Sequence, residues 1–132
     1  MAADYKRPDE AAMQRILERY PYSPEGAIIR LAWLQGLSRK ELNQLTWDQV
    51  DFANRVLLLP ERTVPLTNAV RRLLQSELRQ RQETDEPHVL LTPQSRRPLD
   101  LPRLSRLVRT ALIRGGMEQW TLRDLRRDES RQ

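Results

Sequence analysis

Trp47-Asp48-Gln49-Val50-Asp51-Phe52 leads into Val56-Leu57-Leu58-Leu59, then Pro60-Glu61, then Arg62-Thr63-Val64-Pro65-Leu66, and across this stretch the periodicity of the chain changes. Upstream, apolar residues recur at helical spacing. Here β-rich and alternating segments flank a Pro-Glu turn signal, so residues 47–66 are predicted to form a small antiparallel sheet. Helical spacing returns at Val70, Leu73, Leu74 and Leu78, with Thr67 as the cap of a helix running to about Gln82. A mainly helical chain with one small sheet is α+β in class.

Working outward toward the N-terminus, Ser38-Arg39-Lys40-Glu41 has the form of a capping box, opening a short helix through Leu45 with Leu42 and Leu45 inward. Gly36 stops a preceding helix, Pro24 to Gln35, whose wide apolar arc of Ile28, Ile29, Leu31, Ala32 and Trp33 predicts burial. A first helix enters at Arg7-Pro8-Asp9-Glu10, carries Met13, Ile16, Leu17 and Tyr20, and ends at Pro21. Toward the C-terminus, Glu83 to Pro87 reads as an exposed loop, His88-Val89-Leu90-Leu91 as a brief extended segment, and Thr92 to Pro98 as a basic loop. Asp100 caps a helix through Arg114 with Leu101, Leu104, Leu107, Val108, Ala111 and Leu112 as its buried stripe. On that helix Arg103, Arg106, Arg109 and Arg114 fall within about 140° of one another, a basic ridge. Gly115-Gly116 ends it, and Thr121 caps a last helix.

The length of 132 residues fits one domain. Mean hydropathy is −0.72, and the sequence has no apolar run near the roughly 18–20 residues of a membrane span. The N-terminus shows no secretory signal and cysteine is absent, so a cytoplasmic protein is expected. With no Cys and a single His, His88, a Cys/His zinc site cannot be assembled, and neither metal nor cofactor is expected. Net charge is +5, and its distribution is uneven: residues 1–66 carry nine basic and nine acidic side chains, residues 67–132 fourteen arginines against nine acids. An excess made only of arginine, whose planar fork suits phosphate and base edges, points to a nucleic-acid partner.

The order of elements, with Gly36-Leu37, Glu41-Leu42, Leu45-Thr46-Trp47-Asp48-Gln49-Val50-Asp51, Arg62-Thr63-Val64-Pro65-Leu66, Arg97-Pro98-Leu99 and Asp124-Leu125-Arg126 in sequence, resembles the catalytic domain of tyrosine recombinases, the phage integrase family. The resemblance runs from about residue 7 to 128 and implies DNA strand exchange. In that family a tyrosine attacks the scissile phosphate while two arginines hold its nonbridging oxygens. A hairpin lysine protonates the leaving oxygen, a His and a His/Trp assist, and no metal is required. Preorganised arginine donors suit this chemistry because charge develops on a pentacoordinate phosphorus.

Carried over by position, the site is incomplete. The family's first arginine directly follows Gly-Leu, where this chain has Ser38, with Arg39 one step on as a possible stand-in. Leu59-Pro60-Glu61-Arg62 is too short a turn for the hairpin lysine, and the only lysines are Lys6 and Lys40. At the His-x-x-Arg box, Arg126 holds the second arginine's position and Arg123 stands where the His belongs. No tyrosine follows Tyr22, so the chain is expected to lack the C-terminal part bearing the nucleophile and to be unable to cleave DNA.

The expectation is therefore a single integrase-like domain, residues 1–132, that binds double-stranded DNA through Arg96, Arg97, Arg103, Arg106, Arg109 and Arg127, without a membrane. Alone it is expected to be a monomer, and an active recombinase is a possible partner. Two other readings stand beside it: a winged helix-turn-helix regulator built on residues 36–45 and the 56–66 hairpin, and a non-catalytic interaction remnant of a recombinase.

Overall fold

The computed structural model describes residues 10–21, 23–81, 86–92 and 97–125. Among them are six α-helices and a three-stranded sheet: α1 (Glu10–Arg19), α2 (Pro24–Trp33), α3 (Arg39–Gln44), β1 (Val50–Asp51), β2 (Val56–Leu58), β3 (Thr63–Pro65), α4 (Asn68–Arg79), α5 (Leu101–Arg114) and α6 (Leu122–Leu125). The α+β expectation holds. Its first strand begins later than expected, because Trp47–Gln49 forms a single 3₁₀ turn in which Gln49 Oε1 accepts the Thr46 N–H at 3.0 Å. The entry of the first helix at residues 7–9 lies outside the described residues.

Helix α2 sits at the centre and packs against α1, α3, α4, α5 and α6. The Ser23 hydroxyl accepts the Gly26 N–H at 3.1 Å and Pro24 occupies the first turn, so the helix starts where a donor would otherwise be orphaned. Ile28, Ile29, Leu31 and Ala32 are fully buried. A Cβ on Gly26 would lie 1.9 Å from the Tyr20 carbonyl oxygen, which is why α1 and α2 can meet so closely there. Arg30 fixes that junction, donating to the carbonyls of Tyr20 at 2.9 Å and Leu17 at 3.1 Å, the latter also accepting the Tyr20 N–H at 3.2 Å. Helix α2 ends at Trp33, two residues before the Gln35 predicted from periodicity. Gly36, at φ +72°, then turns the chain so that the Leu37 N–H returns to the Leu31 carbonyl at 3.2 Å.

The sheet is an antiparallel meander in the order β1-β2-β3, with Val50 opposite Leu57 and Leu57 opposite Val64. These three side chains are buried and share one face, which fixes the register against the helices. The Leu59 N–H donates to the Arg62 carbonyl at 2.9 Å, closing the hairpin over Pro60-Glu61 as the sequence predicted. This topology overturns the winged helix-turn-helix reading, since α3 is followed by a 3₁₀ turn and a strand where that motif needs a recognition helix.

The segment 86–92 is laid along the end of α3. Val89 N–H donates to Leu45 O at 3.0 Å and Trp47 N–H to Pro87 O at 2.9 Å. Arg81 is buried beneath this segment, paired with Glu77 at 3.1 Å, donating to His88 O at 2.7 Å and to Val89 O, and stacked over the Trp47 ring at 5.4 Å. With a buried cation so fully partnered, the segment is held by polar bonds as well as by Val89, Leu90 and Leu91. No helix among the described residues is long and apolar enough to cross a membrane.

Candidate nucleic-acid interface

Ser38 is the N-cap of α3. Its hydroxyl accepts the Glu41 N–H at 3.1 Å and its own N–H donates to Glu41 Oε1 at 2.9 Å, a closed capping box. The Glu41 carboxylate is taken up a second time by Arg62, whose Nε and Nη2 approach Oε2 and Oε1 at 2.9 and 2.8 Å while Nη2 also donates to Gly36 O at 2.9 Å. Burial raises the pKa of the Glu41 carboxyl, but the bonds from Arg62 and from the Ser38 N–H, with the charge of Arg62, outweigh it and hold the group below its usual value. The Ser38 hydroxyl is thus turned onto its own helix.

Arg39, the next residue, projects elsewhere, donating to Ser105 Oγ on α5 at 3.2 Å. Between α3, α5 and the start of α6 lies an open groove of about 670 Å³ lined by Arg39, Pro102, Ser105, Arg106, Arg109, Thr121 and Leu122. Three of the seven lining residues are arginines and none is acidic. The nearby Asp124 carboxylate accepts the Thr121 N–H at 2.8 Å and its hydroxyl at 3.2 Å, so it caps α6.

The expected basic ridge of α5 divides in two. Arg103 and Arg106 are exposed. Arg109 is half-buried and donates to the carbonyls of Trp120, at 2.7 Å, and Glu118, bracing the turn that follows Gly115-Gly116. This role had no signature in the sequence beyond the Gly-Gly turn, which leaves carbonyls without helical partners. The stripe beneath is as expected at Leu104, Val108, Ala111 and Leu112, while Leu101 and Leu107 are half-buried. Arg97 is exposed at the base of the basic loop, its N–H on Thr92 Oγ1 at 3.1 Å and its carbonyl accepting the Thr92 N–H at 2.8 Å. Arg96, Arg126 and Arg127 lie outside the described residues, and for Arg123 only the backbone, in α6, is described. Among the described residues no cluster of His, Cys, Asp and Glu could hold a metal ion.

A helical domain around a three-stranded meander, with a groove of arginines beside the capped Gly-Leu turn, has the fold of a recombinase catalytic domain. Among solved structures, XerA recombinase superposes with a TM-score of 0.81 at 20% identity, over 91% of this chain and 47% of that one. The integrase from mycobacterium phage Brujita superposes with a TM-score of 0.68 at 23% identity, over 91% and 43%. The chain thus spans less than half the length of either. A family model for the phage integrase family matches residues 7–132, and the chain belongs to that family. No curated protein matches it.

Proposed function

We propose that this chain is a DNA-binding integrase domain in which the cleavage site has degenerated, acting in DNA integration or recombination without cutting DNA itself. One observation carries the loss of cleavage. The residue at the first-arginine position, Ser38, is committed to the α3 cap, and the hairpin that should bear a lysine is closed over Pro60-Glu61. A phosphorane needs guanidinium and ammonium donors already in place, and removal of one preorganised donor of this kind costs on the order of 10²–10³ in rate. Arg126, at the second-arginine position, and Arg123, at the His position, would then bind phosphate without activating it.

DNA binding is supported by the arginine excess of residues 67–132 and by the exposed Arg97, Arg103 and Arg106, with Arg96 and Arg127 assigned to the same role. Phosphate contacts of this kind give largely sequence-independent affinity. The partner is double-stranded DNA, met by a monomer in the cytoplasm, with an active recombinase as the protein that would supply strand cleavage. The test is incubation with a nicked suicide duplex, followed by denaturing electrophoresis. Retarded duplex without a covalent protein–DNA band is expected, and a covalent band formed by this chain would overturn the reading.

A further inference from the structure

We propose that Arg39 and Arg106 together hold one phosphodiester in the groove between α3 and α5. The ligand class rests on the DNA-binding reading above, whereas the site rests on geometry alone. Several arginines are already occupied: Arg30 and Arg109 by backbone carbonyls, Arg62 by Glu41, Arg81 by Glu77. Arg39 and Arg106 both line the groove, and among the described residues neither pairs with a carboxylate.

Two like charges directed at one concavity repel each other until an anion enters. Ser105 lines the groove with them. Its Oγ accepts from Arg39 at 3.2 Å, so the hydroxyl proton is free to be donated to a phosphate oxygen, while the same bond holds Arg39 across the groove toward α5. Pro102 and Leu122 supply carbon surface beside the charges, suited to a sugar ring. Arg109, held by Trp120 O, forms a fixed positive wall.

The first measurement is an NMR titration of the arginine Nε–H resonances of the full chain with the dinucleoside phosphate dTpdT, and with its uncharged methylphosphonate analogue. Shifts at Arg39 and Arg106 with dTpdT, and none with the analogue, are expected; unmoved resonances would overturn the site whether or not duplex binds. The second is duplex affinity across a salt series. Because both arginines hold the same phosphate, the double variant Arg39→Ala/Arg106→Ala should flatten the log–log salt slope by about 0.9. Its affinity loss should be smaller than the product of the two single losses, and Arg79→Ala on α4 should leave the slope unchanged. A slope change near zero, or one of about 1.8 as two separate phosphates would give, overturns the shared site and leaves DNA binding standing. If dTpdT shifts both resonances and the parent chain fails to bind duplex, the site stands and the DNA-binding reading falls. Millimolar inorganic phosphate should leave duplex bound, and displacement would overturn nucleic acid as the source of the phosphate.

Discussion

The Glu41 carboxylate meets the Arg62 guanidinium edge on, at 2.8 and 2.9 Å, while its Oε1 also accepts the Ser38 N–H. One side chain thus ties the β2–β3 hairpin to the start of α3. Glu41→Gln keeps the capping geometry but removes the charge, and with Arg62 partly exposed the expected loss is about 1 kcal/mol near neutral pH. The pKa of Glu41 is depressed in the folded chain, so its contribution is present above the unfolded carboxylate pKa and disappears as pH falls through the folded one. Urea denaturation of parent and variant from neutral pH down to about pH 3 should show the stability gap closing below about pH 4. A gap that widened on acidification would contradict the assignment.

Gln35 is the counterpart at the other end of β3. Its amide nitrogen donates to Pro65 O, and its Oε1 accepts the Thr67 N–H at 2.8 Å, so one buried side chain satisfies both backbone groups at the junction of β3 and α4. Gln35→Leu preserves bulk but strands both groups, and the expected cost is about 2–3 kcal/mol. Measured by equilibrium denaturation, a loss below 0.5 kcal/mol or so, the range of surface substitutions, would show that water replaces the amide.

Gln35 also marks where the sequence stopped being informative. Its spacing continues the apolar stripe of α2, so periodicity extended the helix to it, whereas the helix ends at Trp33 and the Gln35 side chain reaches Pro65 at the end of β3. What was legible was local: the caps at Ser38, Thr67 and Asp100 and the Pro60-Glu61 turn, each set by bonds within three or four residues. The integrase family was legible too, because its motifs survive in order. Not legible were contacts across long separations, such as Arg39 with Ser105 and Arg62 with Glu41, since no local pattern records which way a long charged side chain turns. The Arg109 clamp was not legible for the same reason: of the ridge arginines, Arg103 and Arg106 are exposed while Arg109 braces a turn.

Close backbone approach gives a third test. A Cβ at position 26 would fall 1.9 Å from the Tyr20 carbonyl oxygen, so Gly26→Ala must push α1 away from α2. Gly116, at φ +83°, has nothing within 4 Å of where a Cβ would be, so Gly116→Ala carries only the conformational penalty of about 1 kcal/mol. Thermal melts should rank Gly26→Ala well below Gly116→Ala, with the parent above both. Equal losses would mean that the α1–α2 contact yields more easily than a backbone carbonyl should.

The two roles on α5 separate most clearly at Arg109 and Arg103. Arg109 donates to the carbonyls of Glu118 and Trp120, acceptors that follow the Gly115-Gly116 turn and lead directly into α6, where Arg123 lies. Arg109→Ala should therefore cost about 1–2 kcal/mol through stranded carbonyls, and hydrogen exchange should quicken at the amides of Met117 and Trp120, which pair with Leu112 O and Met117 O at 2.7 and 3.2 Å. Arg103→Ala, on an exposed side chain, should change stability by no more than about 0.5 kcal/mol. In DNA binding the order reverses: Arg103→Ala removes a phosphate contact, flattening the salt slope by about 0.9, whereas Arg109→Ala acts only through the loosened turn and leaves the slope nearly as it was. The triple variant Arg103→Ala/Arg106→Ala/Arg109→Ala should then lose about 1.8 in slope, two contacts and not three. A loss near 2.7 would mean that Arg109 abandons its carbonyls for phosphate when DNA arrives.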